Sequence, residues 1–173
     1  GDDTFSYNGT TILTAADTID GGAGTDTIVV DNSGGAATID AKLNLVTNVE
    51  KIVVKDDNGG DTVGSENADV IAITISGTGS GIATDNSTDN ADVAIEIDAS
   101  VITDTNDTVT YTLSDIVDKD YSFTVKDGAA AASYTGSGVV DTVFGNGGAD
   151  VIDGGAGDDV IDGGAGADDI TGG

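Results

Sequence analysis

Four aspartates near the C-terminus, Asp141, Asp150, Asp159 and Asp168, recur at a constant interval of 9 residues, and Val143, Ile152, Ile161 and Ile170 keep the same interval two positions later. Glycines precede each aspartate: from Gly136 the chain reads GSGVVDTVF, GNGGADVID, GGAGDDVID and GGAGADDIT, then Gly172-Gly173. A carboxylate held at a fixed distance behind a glycine-rich turn is oxygen-donor chemistry. Glycine admits backbone angles closed to other residues and can aim successive carbonyls at one point. Calcium takes six to eight such oxygens at about 2.3 to 2.6 Å, whereas magnesium fits such a cradle poorly. The chain has no Cys and no His, so thiolate, disulfide and imidazole chemistry are excluded and only oxygen ligands remain. A lone Gly-Gly-x-Gly reads as a flexible linker. Repetition in phase, with a hydrophobic residue held at one position, reads as a built site.

The spacing resembles the G-G-x-G-x-D-x-U-x nonapeptide of the RTX family. Gly154 to Asp162 fits at every fixed position, Gly136 to Phe144 departs at Val139, and Asn146 stands where a second glycine is expected. Near the N-terminus Gly21 to Val29 (GGAGTDTIV) also fits throughout, with Asp17 to Asp20 leading in, and Gly1 to Phe5 (GDDTF) matches the last part of another repeat. Together these cover roughly a third of the chain. The resemblance implies a parallel β-roll in which two nonapeptides make one coil, each contributing a turn and a short strand. It implies one calcium between the turns of Asp141 and Asp159 and another between those of Asp150 and Asp168. Carbonyls of Gly145, Gly147, Gly148, Gly154, Gly155, Ala156, Gly157, Gly163, Gly164, Ala165 and Gly166 complete these sites, and Gly136 and Gly138 belong to the Asp141 turn. Gly21, Gly22, Gly24 and Asp26, with Asp3, form an N-terminal candidate that is read either as a calcium turn or as a metal-free one. Ile152, Ile161 and Ile170 are expected to point inward as a ladder.

The elements that must position these residues are strands. With 38% hydrophobic residues, seven aromatics (four Tyr, three Phe) and neither Trp nor Met, packing falls to Val, Ile, Leu and Ala in thin layers. Val93, Ile95 and Ile97 alternate with Asp92, Glu96 and Asp98; Val109, Tyr111, Leu113 and Tyr121, Phe123, Val125 repeat the alternation of a half-buried strand. Asn8-Gly9 and Asn58-Gly59 supply tight hairpin turns. No stretch carries a helical period with caps. The expected fold is all-β, with N-terminal RTX-like turns over 1–30, a β-rich middle region over 31–127 and a C-terminal RTX β-roll over 128–173. Leu45 to Val54 resembles a linking strand between repeat blocks of RTX surface-layer and adhesin proteins. Whether the middle region continues the roll or forms a separate sandwich stays open.

Charge sets the functional class. Against 32 acidic residues stand five Lys, a net charge of -27 that opposes compaction. Unfolding, high salt or bound cations can relieve it, and the repeats favour cations. Scattered Lys without Arg excludes nucleic-acid binding. No apolar run reaches the roughly 18 residues of a membrane span, and neither a signal peptide nor an initiator Met is present, as in a mature product or an excised segment. Glu50, Glu66 and Glu96 are the only glutamates. Glycoside hydrolysis would need two acids flanking one sugar bond, but carboxylate pairs arise by chance in so acidic a chain, and no catalytic function is expected. Glu50 is read as capping a strand edge or joining a calcium site. Asn8, Asn86 and Asn106 lie in N-x-S/T triplets that arise freely in Thr-rich sequence.

A thin core offsets ordering of many glycines poorly, at roughly 1 to 2 kcal/mol per residue, so calcium is expected to switch the chain from disordered to folded. RTX proteins typically leave Gram-negative cells by type I secretion as unfolded chains, which implies an extracellular or cell-surface location. The N-terminal GDDTF and the C-terminal Gly172-Gly173 nearly complement each other as one repeat, with Asp3 at its sixth position. The expected function is therefore a self-assembling structural protein of a surface layer or fibre, joined head to tail or in a lattice, with cell-surface polysaccharide as a further partner through calcium. The alternatives are a stalk module of a large RTX adhesin and the secretion and folding domain of an RTX exoenzyme.

Overall fold

The computed structural model describes residues 1–8, 17–31, 38–42, 46–55, 70–75, 93–103, 105–114 and 121–173. Fifteen strands lie within them: β1 (Thr4–Asn8), β2 (Ile19–Asp20), β3 (Thr27–Asp31), β4 (Thr38–Lys42), β5 (Val46–Thr47), β6 (Lys51–Lys55), β7 (Val70–Thr74), β8 (Val93–Asp98), β9 (Thr108–Thr112), β10 (Tyr121–Lys126), β11 (Ala131–Thr135), β12 (Val140–Phe144), β13 (Val151–Asp153), β14 (Val160–Asp162) and β15 (Asp169–Thr171). No helix occurs among the described residues, so none there is long and apolar enough to cross a membrane.

The chain alternates between two facing sheets. One orders its strands β1-β3-β6-β8-β10-β12-β14, the other β15-β13-β11-β9-β7-β4, and β2 pairs with β5 as a short third face at the N-terminal end. Every strand pair is parallel, as required when each coil advances one strand per face. The fold is an all-β parallel roll, and strands from 1–30, 31–127 and 128–173 share its two main sheets. The middle region thus continues the roll. Of the two Asn-Gly pairs read as hairpin turns, Asn8 closes β1, whose partner is the parallel β3; Gly9, Asn58 and Gly59 lie outside the described residues.

Side chains of one register form continuous ladders through the core. On the first sheet Phe5, Ile28, Ile52, Ile97, Val125, Val143 and Ile161 stand in line. Opposite them run Ile73, Tyr111, Tyr134, Ile152 and Ile170. Ile152 and Ile170 therefore share one ladder and Ile161 belongs to the other, because alternate nonapeptides feed opposite sheets. Bulk is greatest mid-chain, where Tyr111, Tyr134 and Phe123 are the largest fully buried side chains. The ladder thins to a half-buried Ile161 and an exposed Ile170 at the C-terminal end.

Candidate calcium sites

The turns stack at a separation of one coil, and their glycines are dictated by that stacking. Gly155 and Gly157 adopt φ of 86° and 148°, and a Cβ on either would meet the carbonyl of Ser137 at 2.3 Å or of Val139 at 2.4 Å. Gly164 and Gly166 repeat both features, at φ of 84° and 156°. Asn146 keeps the left-handed turn at φ 60°, which Asn tolerates better than other side-chain-bearing residues. Three of the glycine-rich turns are further tied by the aspartate before them: Asp20 Oδ1 accepts from the Gly22 amide, Asp153 Oδ1 from Gly155 and Asp162 Oδ1 from Gly164, each at 3.1 Å. The recurrence of Asp-Gly-Gly was the sequence signal for this clamp.

The repeat aspartates form columns. The Asp141 amide donates to Asp159 Oδ1 at 3.0 Å, the Asp150 amide to Asp168 Oδ1 at 3.1 Å and the Asp3 amide to Asp26 Oδ1 at 2.7 Å. This brings together the pairs Asp141 with Asp159, Asp150 with Asp168 and Asp3 with Asp26. One oxygen of each lower carboxylate is thereby spent on the backbone. In Asp26 and Asp159 the other, Oδ2, is buried without a hydrogen-bond partner, and so is Oδ2 of Asp150, whose Oδ1 accepts from the Ala132 amide at 2.9 Å. Each points into the space left by a missing side chain. A Cβ on Gly21 would lie 2.7 Å from Asp26 Oδ2, on Gly145 2.5 Å from Asp150 Oδ2, and on Gly154 2.7 Å from Asp159 Oδ2. Carbonyl oxygens face the same spaces, Asn48 O at 2.0 Å, Gly163 O at 2.5 Å and Gly172 O at 2.8 Å from those Cβ positions.

An orphaned buried carboxylate oxygen costs about 1 to 3 kcal/mol or more. Burial raises the pKa of Asp150 and of Asp141, against hydrogen bonds that lower it, so without a counter-cation these groups are driven toward the neutral acid. The donor set is all oxygen and lies within a coil-to-coil gap, which fits calcium. No three acidic side chains converge at one point among the described residues, so backbone carbonyls must make up the coordination number. When bound, calcium would supply the charge that these carboxylates lack, held by Asp159 with carbonyls of the Gly154 and Gly172 turns, by Asp150 with those of Gly145 and Gly163, and by Asp26 with those of Gly21 and Asn48.

Two turns depart from this pattern. At Gly136 to Asp141 no residue has positive φ, since Val139 occupies a glycine's place, and the Asp141 carboxylate accepts from the Ser137 amide at 2.8 Å and from Ser137 Oγ at 2.9 and 3.0 Å. Gly136 and Gly138 thus sit in a turn whose aspartate is already satisfied by protein. At the N-terminal end Glu50 forms the third rung of the Asp3–Asp26 column, its Oε2 accepting from the Asp26 amide at 2.8 Å. Glu50 takes the role that Asp159 plays for Asp141; the sequence offered it as capping a strand edge or joining a calcium site, and the register that stacks it on Asp26 decides where it stands.

The RTX calcium-binding nonapeptide repeat family matches this chain in 4 copies, over residues 14–32 and 135–173. The chain thus carries RTX-type calcium-binding repeats over about a third of its length. No curated protein and no solved structure matches it. RTX nonapeptides bind calcium, and the two matched regions contain every turn in which a repeat aspartate presents an orphaned Oδ2. Between them the columns change chemistry. Following the register from Asp26 and Glu50, the next rungs are Ile95 and Phe123, before Asp141 and Asp159 restore carboxylates. On the opposite sheet Asp168 and Asp150 give way to Ala132, Val109 and Ile71. RTX turns therefore close both ends of a roll whose centre is filled by apolar side chains.

Proposed function

We propose that this RTX protein is a non-catalytic, self-assembling structural unit of an extracellular surface layer or fibre, folded by calcium after secretion. The observation that carries the reading is repetition along one axis. Each coil hydrogen-bonds to its neighbours in the same parallel register from β1 to β14, and no cross-strand or helix caps the stack among the described residues. Stacked repeats of this kind contact only their neighbours and extend by adding coils in the same register. A further coil, whether from a second copy or from the same polypeptide, continues both the sheets and the calcium turns. The absence of His, Cys and Arg supports a structural over a catalytic role.

Sedimentation velocity and circular dichroism, followed while calcium is titrated into chelator-treated protein, test this. Strand signal and large oligomers rising together support assembly from separate copies. Folding to a monomer overturns self-assembly and favours a stalk module or an exoenzyme folding domain, in which the next coil belongs to the same polypeptide. A chain that folds equally with chelator present overturns the calcium switch.

A further inference from the structure

We propose that Asp127 completes an additional cation site, shared with Asp150, in a turn that carries no repeat. The inference rests on the calcium reading of the neighbouring turns. The segment from Asp127 to Ala132 reads DGAAAA, and nothing in its spacing matches a nonapeptide. Register explains what it lacks. Ser133 pairs with Val151 and the Ala132 amide donates to Asp150 Oδ1 at 2.9 Å, so Ala132 occupies the rung that Asp150 and Asp168 fill in the next two coils. The carboxylate expected at that rung is missing.

A carboxylate nevertheless reaches the column from another position. The Asp127 amide donates to Phe144 O at 2.9 Å and the Gly145 amide to Asp162 O at 2.8 Å, which places Asp127 above Gly145 and Gly163. In this column a side chain is aimed at the cation space: a Cβ on Gly145 would lie 2.5 Å from Asp150 Oδ2, and one on Gly163 2.7 Å from Asp168 Oδ2. Asp127 is the residue that has a side chain there. It is 1% exposed; Oδ1 accepts from the Tyr111 hydroxyl at 2.6 Å, and Oδ2 is buried without a hydrogen-bond partner. One coil away, Asp150 is also 1% exposed with its Oδ2 unpartnered.

Asp127 and Asp150 thus stand one coil apart in this column, each with one buried oxygen that protein leaves unpartnered, and Asp150 would bridge this space and the ion of the Gly145 and Gly163 turns. Each lacks a partner for one oxygen, and like charges in a site of low dielectric repel. A divalent, oxygen-seeking cation answers both deficits, and calcium is the ion that the adjoining turns take. Access is provided by an open depression beside Asp127, lined by Ser100, Thr103 and Asn146. Asn146 reinforces the arrangement, since its side-chain amide donates to the Asp127 carbonyl. The competing description is a neutral Asp127 that serves as a hydrogen-bond partner of Tyr111 and nothing more.

Calcium stoichiometry of the full chain, by native mass spectrometry and calorimetry, separates the two. Asp127→Asn keeps the shape and an acceptor for Tyr111 but removes the charge, and should bind one calcium fewer than wild type, with the other sites within about threefold of their affinity. Asp127→Gly with Ala132→Asp restores the repeat's own arrangement and should recover the wild-type count. Should Asp127→Asn not fold, Asp127→Gly alone decides: one ion fewer than wild type supports the site, an unchanged count overturns it. An unchanged count in Asp127→Asn overturns this proposal alone. A wild-type chain that binds no calcium overturns it together with the calcium reading of the repeats.

Discussion

At Gly154 a single methyl group would stand where an ion belongs. Its Cβ position lies 2.7 Å from Asp159 Oδ2 and 2.8 Å from Gly172 O, while a Cβ on Gly172 meets nothing within 4 Å. Gly154→Ala is therefore expected to weaken calcium binding at least tenfold, or about 1.4 kcal/mol or more, and Gly172→Ala to leave it near wild type; calorimetric titration of the two variants checks the contrast. Equal losses would mean that glycine matters there for chain flexibility and not for space. Residue chemistry also separates look-alike turns. Asp141 has its carboxylate satisfied by Ser137, whereas Asp150 and Asp159 retain an orphaned oxygen. Buried Asp127 is pushed up to about 6 by desolvation, with Asp150 adding to the rise against the Tyr111 hydrogen bond.

At the scale of strands, short parallel elements gain little individually, and cross-strand side chains must join them. On the outer face Glu96 of β8 accepts from Lys51 of β6 and Lys126 of β10, both at 2.6 Å, and Lys51 also lies 3.5 Å from Asp98. The Lys126 and Lys51 hydrogen bonds hold the Glu96 carboxyl below its ordinary value of 4.5. A depressed acid contributes stability that is present above its unfolded value and lost as pH falls through its folded one. The pair is about a third exposed, so the contribution is about 0.5 to 1 kcal/mol. Glu96→Gln is expected to lower the unfolding free energy from urea titration at pH 7, in saturating calcium, by that amount, and the difference from wild type to fade below about pH 4. A difference that persists at pH 3 would assign the effect to packing. The same strands carry the change of column chemistry, with Ile95 and Phe123 occupying rungs that are acidic at either end.

For the molecule as a whole, a net charge of -27 must be held in a roll whose apolar core thins toward the C-terminus. Calcium bound only to the native state adds about 1.4 kcal/mol per site at ten times its dissociation constant. Chelation is accordingly expected to expand the chain, seen as a larger radius of gyration in small-angle scattering and loss of strand signal for 128–173 first. Sodium chloride at 0.5 M screens the repulsion but supplies no ligand geometry, and should restore compactness without restoring that signal. Full recovery in sodium chloride would make the repeats a charge-screening device and not a calcium scaffold. The apolar centre, with Tyr111, Tyr134 and Phe123 fully buried, is expected to be the last part to unfold.

The sequence by itself determined the parts governed by local rules. The nine-residue interval of Asp141, Asp150, Asp159 and Asp168, with glycines before each, pointed to an oxygen-bound cation and carried the RTX resemblance that implied the fold. Tertiary structure alone decided what each column meets. That the middle strands join the same two sheets, that Glu50 stacks on Asp26 and that Asp127 stands over Gly145 all depend on coil-to-coil register. Paired residues 18 to 45 positions apart come together there, and outside the nonapeptides the number of residues from one strand to its partner varies in a way that no local pattern announces.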